Sequence, residues 1–376
     1  MKVLLVDDEM MILNGLRRAL FGAGWTLFTA EGGKQALDIL DAEEIDVIIS
    51  DMLMPNMDGA ELLKTVSLQY PSVIRASLSG YSDPLITVKG GFFAHQAFTK
   101  PCKPETLKEE MKGISEILDL FPDRTIQNAI GTITALPISP KSFFKVKRAL
   151  QDESTSMHEI AILISQDPAM CTKILHIANN ATFRGQSEAI TITDAINRLG
   201  RQIVTNFVSL LEISSVSLNE SSKPLDDLRS VSFKVAKLAS SFVDIDQREQ
   251  VFLIGLLHQI GEYVRLEITP KLMNAYLNPA TKGKDKSHLN KYLFNTKSEQ
   301  LGAYLLNFWR FPKDMVQNIL NCRQPEELIK APFGAGCAVY IASCLINGEE
   351  ISETVINHFE LSEKIVQWES EATSIS

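Results

Sequence analysis

The sequence predicts an α/β domain with a parallel, doubly wound sheet, followed by an all-α domain. Three observations support this order. Apolar segments of strand length alternate with amphipathic helical segments over the first 120 residues. Strand patterns then stop, and helical periodicity alone continues to about residue 320. The strand-like segments also end in acids, a hydroxyl or a lysine, and the carboxyl ends of parallel strands share one edge of a sheet.

Each predicted strand stops at a residue with a charged or reactive side chain. The opening segment from Lys2 is an apolar run that ends at Asp7 and Asp8, and the segment from Asp46 ends at Asp51. Two further strands follow the same rule: Val73 to Leu78 before Ser79, and Ala97 to Thr99 before Lys100. We therefore expect these five end residues to converge at one site.

Amphipathic helices are predicted between the strands. They span Met11 to Phe21, Lys34 to Leu40, Ala60 to Leu68 and Thr106 to Leu118. Alternating strands and helices are typical of a parallel sheet that is covered by helices on both faces.

The residue types at the strand ends indicate phosphoryl chemistry. Three neighbouring carboxylates repel one another and favour a hard cation such as Mg²⁺, which needs few protein ligands. A carboxylate can accept a phosphoryl group as an acyl phosphate. Lys100 would neutralise the phosphoryl oxygens, and the Ser79 hydroxyl would hydrogen-bond the group after transfer. One acid at a strand end is usually a helix cap or a loop residue, but the ordered set of five favours a phosphoryl-accepting site.

Four phrases in this region carry a family resemblance: VDDE at 6–9, DMLMPNMDG at 51–59, SLSGYSD at 77–83 and FTKP at 98–101. With them, residues 1 to about 120 closely resemble the receiver domain of two-component response regulators. The resemblance implies a flavodoxin-like domain with a five-stranded sheet. It also implies that a histidine kinase phosphorylates this domain. It also implies these roles: Asp51 as phosphoacceptor, Asp7 and Asp8 as the acidic pair of the Mg²⁺ site, Leu53 as a backbone carbonyl ligand, Ser79 as the switch hydroxyl and Lys100 as the phosphate-binding lysine.

One position departs from the receiver pattern. The family usually has an aromatic residue three positions before the lysine, and here that residue is Ala97. The neighbouring Phe98 should point to the opposite face of the strand. We expect phosphorylation to occur without the usual rotation of an aromatic ring.

Composition indicates a two-domain cytoplasmic protein. A chain of 376 residues with 45% hydrophobic residues is long enough for two separate cores. Its five cysteines lack CxxC spacing, so neither a disulfide framework nor a zinc knuckle is indicated. The N-terminus has no signal-like segment, and no run reaches the roughly eighteen apolar residues of a membrane helix.

The charge distribution argues against direct DNA binding. The formal net charge is −9, and residues 121–376 are nearly neutral with 26 Lys and Arg against 28 Asp and Glu. They contain no basic stripe of the kind that binds phosphate backbones, and no convincing helix-turn-helix is present.

A domain boundary is predicted near residues 119–123. We expect a receiver domain over 1–120, a helical domain over 121–350, and a C-terminal helix with a frayed tail over 351–376. Helical periodicity in the second part covers Ser142 to Leu150, Ser156 to Ile164, Ala169 to Ala178, Ile192 to Leu199, Ile203 to Leu211, Ser230 to Phe242, Gln250 to Ile260, Glu299 to Trp309 and Lys313 to Leu320.

Five phrases of this half occur at familiar distances: ALP at 135–137, ISQDPA at 164–169, ILHIANN at 174–180, AINRLG at 195–200 and GLLHQIG at 255–261. Together they resemble an HDOD domain, an output module related to HD-type phosphohydrolases. The resemblance covers about 130 to 325.

The departures from an active HD enzyme indicate a non-catalytic domain. An HD hydrolase needs adjacent His and Asp and further His ligands to hold its metals. The pair here is His258-Gln259, and the other ligand positions fall near Val231, near Ser298 and at Asn321-Cys322. We expect His258 to be a core histidine that hydrogen-bonds a neighbouring helix, and His176 to be structural.

We therefore expect a response regulator in which a sensor histidine kinase phosphorylates Asp51 with Mg²⁺, and in which the HDOD domain changes a protein-binding surface or dimerisation. Beyond self-phosphorylation and dephosphorylation we expect no enzyme activity. Two alternatives stay open: a receiver-controlled phosphohydrolase or cyclic-dinucleotide phosphodiesterase, and a nucleotide-sensing HDOD module. The sequence also leaves open the cognate kinase, the downstream protein, the active phosphorylation state and the oligomeric state, a homodimer included.

Overall fold

The first part of the chain is a five-stranded parallel sheet covered by helices. The computed structural model describes residues 1–80, 92–120, 124–179, 183, 188–214, 223–270, 273 and 296–375. The strands are β1 (Lys2–Val6), β2 (Thr26–Ala30), β3 (Val47–Asp51), β4 (Ile74–Ser79) and β5 (Gln96–Thr99). All neighbouring pairs are parallel, and their order is β2-β1-β3-β4-β5. The predicted doubly wound sheet is confirmed.

Helices cover both faces of this sheet. They are α1 (Met10–Leu20), α2 (Gly33–Ala42), α3 (Gly59–Gln69) and α4 (Pro104–Leu120). Val3 and Leu5 of β1 pack in the same cluster as residues of α1 and α4, whereas Leu4 and Val6 pack with residues of α2 and α3. The alternation of buried side chains along β1 therefore fills two separate layers.

The sequence patterns do not locate strand β2. It lies at the sheet edge, where Thr26 is exposed and the next three residues are only partly buried. Such a strand lacks the continuous apolar run by which the central strands are recognised. The four helices predicted between these strands agree with the structure to within about two residues at each end, which is the usual uncertainty of helix boundaries.

Every secondary-structure element in the described residues of the second part is a helix. Its helices are α5 (Arg124–Gly131), α6 (Pro140–Gln151), α7 (Met157–Ile164), α8 (Pro168–Ala178), α9 (Ile192–Ser214), α10 (Lys223–Ser241), α11 (Arg248–Leu257), α12 (Ile260–Ile268), α13 (Ser298–Phe308), α14 (Lys313–Asn321), α15 (Pro325–Leu328), α16 (Ala335–Asn347), α17 (Glu353–His358) and α18 (Ser362–Ile375). The predicted all-α class is confirmed. None of the described helices is long and apolar enough to cross a membrane.

Helices α5, α12 and α15 have no predicted counterpart, and α10 begins at Lys223 and not near Ser230 as predicted. Two further features of the C-terminal part also differ from the predictions. Helix α16 has no predicted counterpart, because it is apolar nearly all round and so lacks a polar face that would reveal its period. The tail from Glu369 is expected to be frayed, and this is wrong, since α18 continues to Ile375. Trp368 of α18 is buried and stacks on Phe242 with ring centroids 4.0 Å apart. Packing of this face holds the tail in place.

The helical part packs against the β4–β5 edge of the sheet, and one hydrophobic cluster contains residues of both parts. Helix α5 links the two parts of the chain and ends at Gly131, which lies against Pro71 of the sheet domain. A Cβ at Gly131 would lie 1.7 Å from the carbonyl oxygen of Pro71, so only glycine allows this approach.

Another close approach places helix α3 under the end of β3. A Cβ on Gly59 would lie 2.1 Å from the carbonyl oxygen of Asp51, and the Gly59 N–H donates to the carbonyl of Met52. Asp58 caps the helix by accepting from the N–H of Glu61. Glycine at 59 thus fixes the position of the Asp51 backbone.

The substitution Gly59→Ala should destabilise the chain by about 3 kcal/mol, because the methyl group forces α3 away from β3. The measurement is the free energy of unfolding in urea. The matched control is Gly15→Ala in α1, where a Cβ meets no atom within 4 Å. That control should stabilise the chain by roughly 0.5–1 kcal/mol. Equal effects of the two substitutions would contradict the packing argument.

Candidate phosphoacceptor site

The ends of β1, β3 and β5 bring three of the predicted site residues into direct contact. The Nζ of Lys100 lies 2.6 Å from Oδ2 of Asp7 and 2.7 Å from Oδ1 of Asp51. Asp7 is fully buried, Asp51 is nearly so, and Asp8 is exposed to solvent. The site is therefore a carboxylate cluster that opens to solvent on the side of Asp8.

Backbone N–H groups hold the two buried carboxylates in place. Oδ1 of Asp7 accepts from the N–H of Glu9 at 2.9 Å, and Oδ2 of Asp51 accepts from the N–H of Leu53 at 3.1 Å. Each bond joins an acid to the residue two positions later, a turn that short polar side chains favour after a strand. The second oxygen of each carboxylate is left for Lys100 or a ligand.

The Lys100-Pro101 peptide bond directly after β5 is cis. It belongs to the turn in which Lys100 leaves the strand and reaches across to β1 and β3. Lys100 therefore links the inner strands β1 and β3 to the edge strand β5.

Burial and Lys100 shift the pKa of the Asp51 carboxyl in opposite directions. Burial raises the pKa of the Asp51 carboxyl most strongly, and the charge of Asp7 raises it further. The hydrogen bond and the charge of Lys100 act in the opposite direction. For Lys100 itself, burial lowers the pKa, but the hydrogen bonds to Asp51 and Asp7 outweigh burial and leave this pKa above its ordinary value. The positive charge on Lys100 is thus stabilised by the acids that it joins.

The carboxylates fit a divalent cation. One ligand oxygen from each of Asp7, Asp8 and Asp51 lies within 4.8 Å of the others, and no other such group of three occurs in the part of the chain that the structure describes. All the donors are hard carboxylate oxygens, which suit Mg²⁺. Leu53, whose backbone carbonyl is a predicted ligand, lies next to these carboxylates, since its N–H donates to Oδ2 of Asp51.

Ser79 is the last residue of β4, and its backbone pairs with Thr99 of β5. This register places Ser79 at the carboxyl ends of the strands, as it does Asp51, whose partner in β4 is Leu78. The Ser79 side chain and the following Tyr81 lie outside the described residues. Ala97 is buried, and Phe98 belongs to the cluster of α1 and α4.

The positions at which an HD hydrolase would bind its metals hold few metal-binding side chains in the helical part. His258 is buried, and its Nδ1 lies 2.6 Å from the carbonyl oxygen of Gly255 in its own helix, so the predicted bond to a neighbouring helix is wrong. Burial lowers the pKa of His258 to about 4. Arg323 lies in this region and pairs with Glu299 at 3.3 Å. The guanidinium places a fixed positive charge where a metal ion would need carboxylates.

A buried basic cluster between the two parts is not predicted from the sequence. It consists of Arg75, His95, Lys173 and His176, all at most 1% exposed. One signal is visible in retrospect: Lys173 and His176 are the only basic side chains in the mostly apolar helix α8. Basic residues on a helix without a solvent-exposed face need partners elsewhere in the structure.

Family comparisons agree with this architecture. A model described as the HDOD domain matches residues 136–325, about half of the chain. A model described as the response regulator receiver domain matches residues 3–112. The chain belongs to the HDOD family and carries a response regulator receiver domain. Both resemblances inferred from the sequence are confirmed.

Individual relatives match parts of this arrangement. The sensor kinase CckA of Brucella abortus is 34% identical over 119 residues, which are 31% of this chain and 12% of that protein. The alkaline phosphatase synthesis transcriptional regulatory protein PhoP of Bacillus subtilis is 29% identical over 155 residues, which are 38% of this chain and 64% of that protein. The chain thus spans less than two thirds of either relative.

A solved structure supports the fold over a larger part of the chain. The MmoQ response regulator of Methylococcus capsulatus str. Bath has 19% sequence identity and a TM-score of 0.51, and the match covers 62% of this chain and 98% of that one. At this identity the similarity concerns the fold alone.

The receiver site should bind Mg²⁺ through Asp8. The substitution Asp8→Asn removes one negative charge from the carboxylate group and should weaken Mg²⁺ binding by about 10- to 100-fold. Isothermal titration calorimetry measures this change. The control Glu31→Gln alters an exposed acid that follows β2 at the same sheet edge but does not belong to the group of three. Equal loss of affinity in both variants would place the cation elsewhere.

Proposed function

We propose that this chain is a response regulator whose Asp51 accepts a phosphoryl group from a sensor histidine kinase. The HDOD domain then passes the phosphorylation state to a downstream protein, with no turnover of an external substrate. The observation that carries this proposal is the nearly buried Asp51 carboxylate, which is joined to Lys100 beside Asp7 and Asp8. The proposed location of both events is the cytoplasm.

The phosphoryl transfer uses one oxygen of Asp51 as the nucleophile. The phosphorus–nitrogen bond of the phosphohistidine breaks as the new phosphorus–oxygen bond forms, and the kinase histidine leaves with the electron pair. The N–H of Leu53 holds the other oxygen of Asp51 and thereby orients the carboxylate. Bound Mg²⁺, held by the three aspartates and the Leu53 carbonyl, would supply positive charge opposite the phosphoryl oxygens.

Lys100 is the residue that must respond to transfer. It is bound to Asp51 and Asp7 before transfer, and transfer replaces the single charge of the Asp51 carboxylate by about 1.5 to 2 negative charges on phosphoryl oxygens. The ammonium group then binds phosphoryl oxygens, and the Ser79 hydroxyl binds another. These residues end β5 and β4, so the change is transmitted to the strands that contact the helical domain.

Transmission along these strands differs from that in receivers with an aromatic residue before the lysine. Ala97 is small and buried, so its side chain cannot report the phosphorylated state by changing rotamer. We therefore assign the signal to the backbone of β4 and β5 and to the packing of the helical domain on this edge. The state of Asp51 would shift the population between two arrangements of the domains.

Positive charge near the HD-related positions favours a non-catalytic HDOD domain. The predicted ligand positions hold His258-Gln259, Ser298 and Asn321-Cys322, and Arg323 lies directly after the last pair. An HD-type phosphohydrolase would need a metal ion here. Metal analysis of the purified chain, together with an assay on a generic phosphodiester, tests that alternative directly. Bound transition metal with hydrolysis would overturn the non-catalytic assignment.

The central test uses acetyl phosphate and Mg²⁺ as a chemical phosphodonor. The native chain should change its shape or its association, measured as the scattering radius and the molar mass in solution, because the added charge reorganises the ends of β4 and β5. The variant Asp51→Asn should abolish this response.

The matched control is Asp38→Asn, which removes an exposed acid on α2. It should respond as the native chain does. A response that persists in Asp51→Asn, or no response in the native chain, would contradict the proposed function.

A further inference from the structure

The receiver and the helical domain are joined through buried basic side chains. Lys173 and His176 project from α8 onto the chain that leads into β5. Nζ of Lys173 donates to the carbonyl oxygen of Phe92 at 3.1 Å, and Nε2 of His176 donates to the carbonyl oxygen of His95 at 3.0 Å. These bonds attach the helical domain to the receiver backbone.

Arg75 of β4 makes a second connection in the same place. Its Nε donates to the carbonyl oxygen of Phe93 at 2.8 Å, and its Nη2 donates to the carbonyl oxygen of Gly131 at 2.9 Å. Gly131 is the last residue of linker helix α5, which also lies against Pro71. The guanidinium therefore fastens the linker to the receiver.

Among the residues that the structure describes, the charged groups that act on this contact are all basic. The groups that act electrostatically on His95, Lys173 and His176 are Arg75 and one another, and no carboxylate is among them. The acceptors of their hydrogen bonds are backbone carbonyls and ring nitrogens. Burial accordingly lowers the pKa of His95, Lys173 and His176 well below their ordinary values, and lowers that of Arg75 to about 9.

The hydrogen-bond geometry requires a neutral His95. The backbone N–H of Arg75 donates to Nδ1 at 3.0 Å, and Nη2 of Arg75 lies 2.5 Å from Nε2. A neutral imidazole has one nitrogen lone pair for such donors, and an imidazolium has none. A second proton on His95 would point directly at an N–H group of Arg75.

His176 is in a similar position. Its Nε2 donates to the His95 carbonyl, so its Nδ1 is free to accept from Nζ of Lys173, which lies 3.2 Å away. The ring stacks on Trp309 at a centroid distance of 5.0 Å and an angle of 11°. Protonation of Nδ1 would place two cationic donors against each other in a buried site.

We propose that this contact is a proton-operated latch: the domains stay docked while His95 and His176 are neutral, and they separate when these two residues are protonated. Opening exposes the ring of Phe308, which His95 of the receiver covers in the docked state at a centroid distance of 4.0 Å. His176 stays beside Trp309 in the helical domain. Intracellular acidification would thereby act on the HDOD surface as an input that is separate from phosphorylation of Asp51.

The sign of the pH dependence follows from the two states. Separation opens both histidines to water and returns their pKa toward the ordinary value of about 6.5, whereas in the docked state protonation is suppressed. Docking is therefore at full strength above pH 6.5 and weakens as the pH falls. The docking constant should fall by up to tenfold per pH unit for each histidine, or about 100-fold for the pair.

Other ion pairs across the contact do not reverse this trend. Arg310 pairs with Glu110, and Lys313 lies 3.9 Å from Glu116. Neither pair contains a histidine, the side chain whose charge ordinarily changes between pH 5 and 8. Acidification to pH 5.5 thus acts on the basic cluster in preference to the salt bridges.

The test compares the full-length chain at pH 7.5 and pH 5.5 by small-angle X-ray scattering and by tryptophan fluorescence, with circular dichroism to verify that both domains stay folded. The native chain should expand at pH 5.5, and its tryptophan emission should shift to longer wavelength as water enters the contact beside Trp309. The double variant His95→Asn with His176→Gln replaces Nδ1 of His95 and Nε2 of His176 by amide atoms that do not titrate. It should stay compact at both pH values.

The matched control is His258→Asn, which removes a buried histidine far from the contact in sequence and bonded within α11. It should open at acid pH like the native chain. A native chain that stays compact at pH 5.5 overturns the proposal, and so does a double variant that opens at the same pH as the native chain.

A second variant keeps the test decisive if the double variant does not dock at pH 7.5. Lys173→Met removes the ammonium group but keeps an apolar side chain over Phe92 and Trp309, which the lysine contacts at 5.2 and 4.7 Å from the ring centroids. The variant loses the bond to Phe92, which weakens docking at every pH, but it also removes the ammonium group beside His176. The change between pH 7.5 and pH 5.5 should therefore be smaller than in the native chain, and an equal change would contradict the role of charge repulsion.

Discussion

The receiver depends on the two ion pairs that Lys100 makes with Asp7 and Asp51. Burying two carboxylates at one sheet edge is unfavourable unless a cation compensates them, and the lysine supplies that compensation from a different strand. The same contact makes the site sensitive to phosphorylation, because any charge added to Asp51 acts first on Lys100. A structural requirement and a signalling element are thus combined in one side chain, and the neighbouring acids leave an open side where a magnesium ion fits.

The strands that end in this site also connect it to the HDOD domain. Strand β5 begins one residue after His95 and ends one residue before Lys100, and β4 carries Arg75 near its start and Ser79 at its end. At about 3.3 Å per residue, roughly 15 Å separates the phosphoacceptor edge from the basic contact. Both ends of these strands are held by basic groups; carboxylates neutralise the phosphoacceptor end, and the groups that act on His95 among the described residues are basic. Phosphorylation and protonation would therefore act on opposite ends of the same two strands.

Sequence reasoning located the features that depend on local pattern. The acids after β1 and β3 and the lysine after β5 follow apolar runs, and the rules for parallel sheets predict that they meet. Strand β2 and helix α16 were not located, since an edge strand lacks a continuous apolar run and an apolar helix lacks a period. The cluster of Arg75, His95, Lys173 and His176 joins residues about a hundred positions apart, and no local pattern encodes such a contact. The frayed tail was predicted from composition and was wrong, because packing of Trp368 orders it.

The account depends most directly on an acyl phosphate forming at Asp51. After incubation with a phosphodonor and Mg²⁺, borohydride reduces an aspartyl phosphate to homoserine, and peptide mass spectrometry identifies the modified position. The account predicts homoserine at position 51 and at no other aspartate, including the adjacent Asp7 and Asp8. An unmodified residue 51, or homoserine at a different position, would contradict the account.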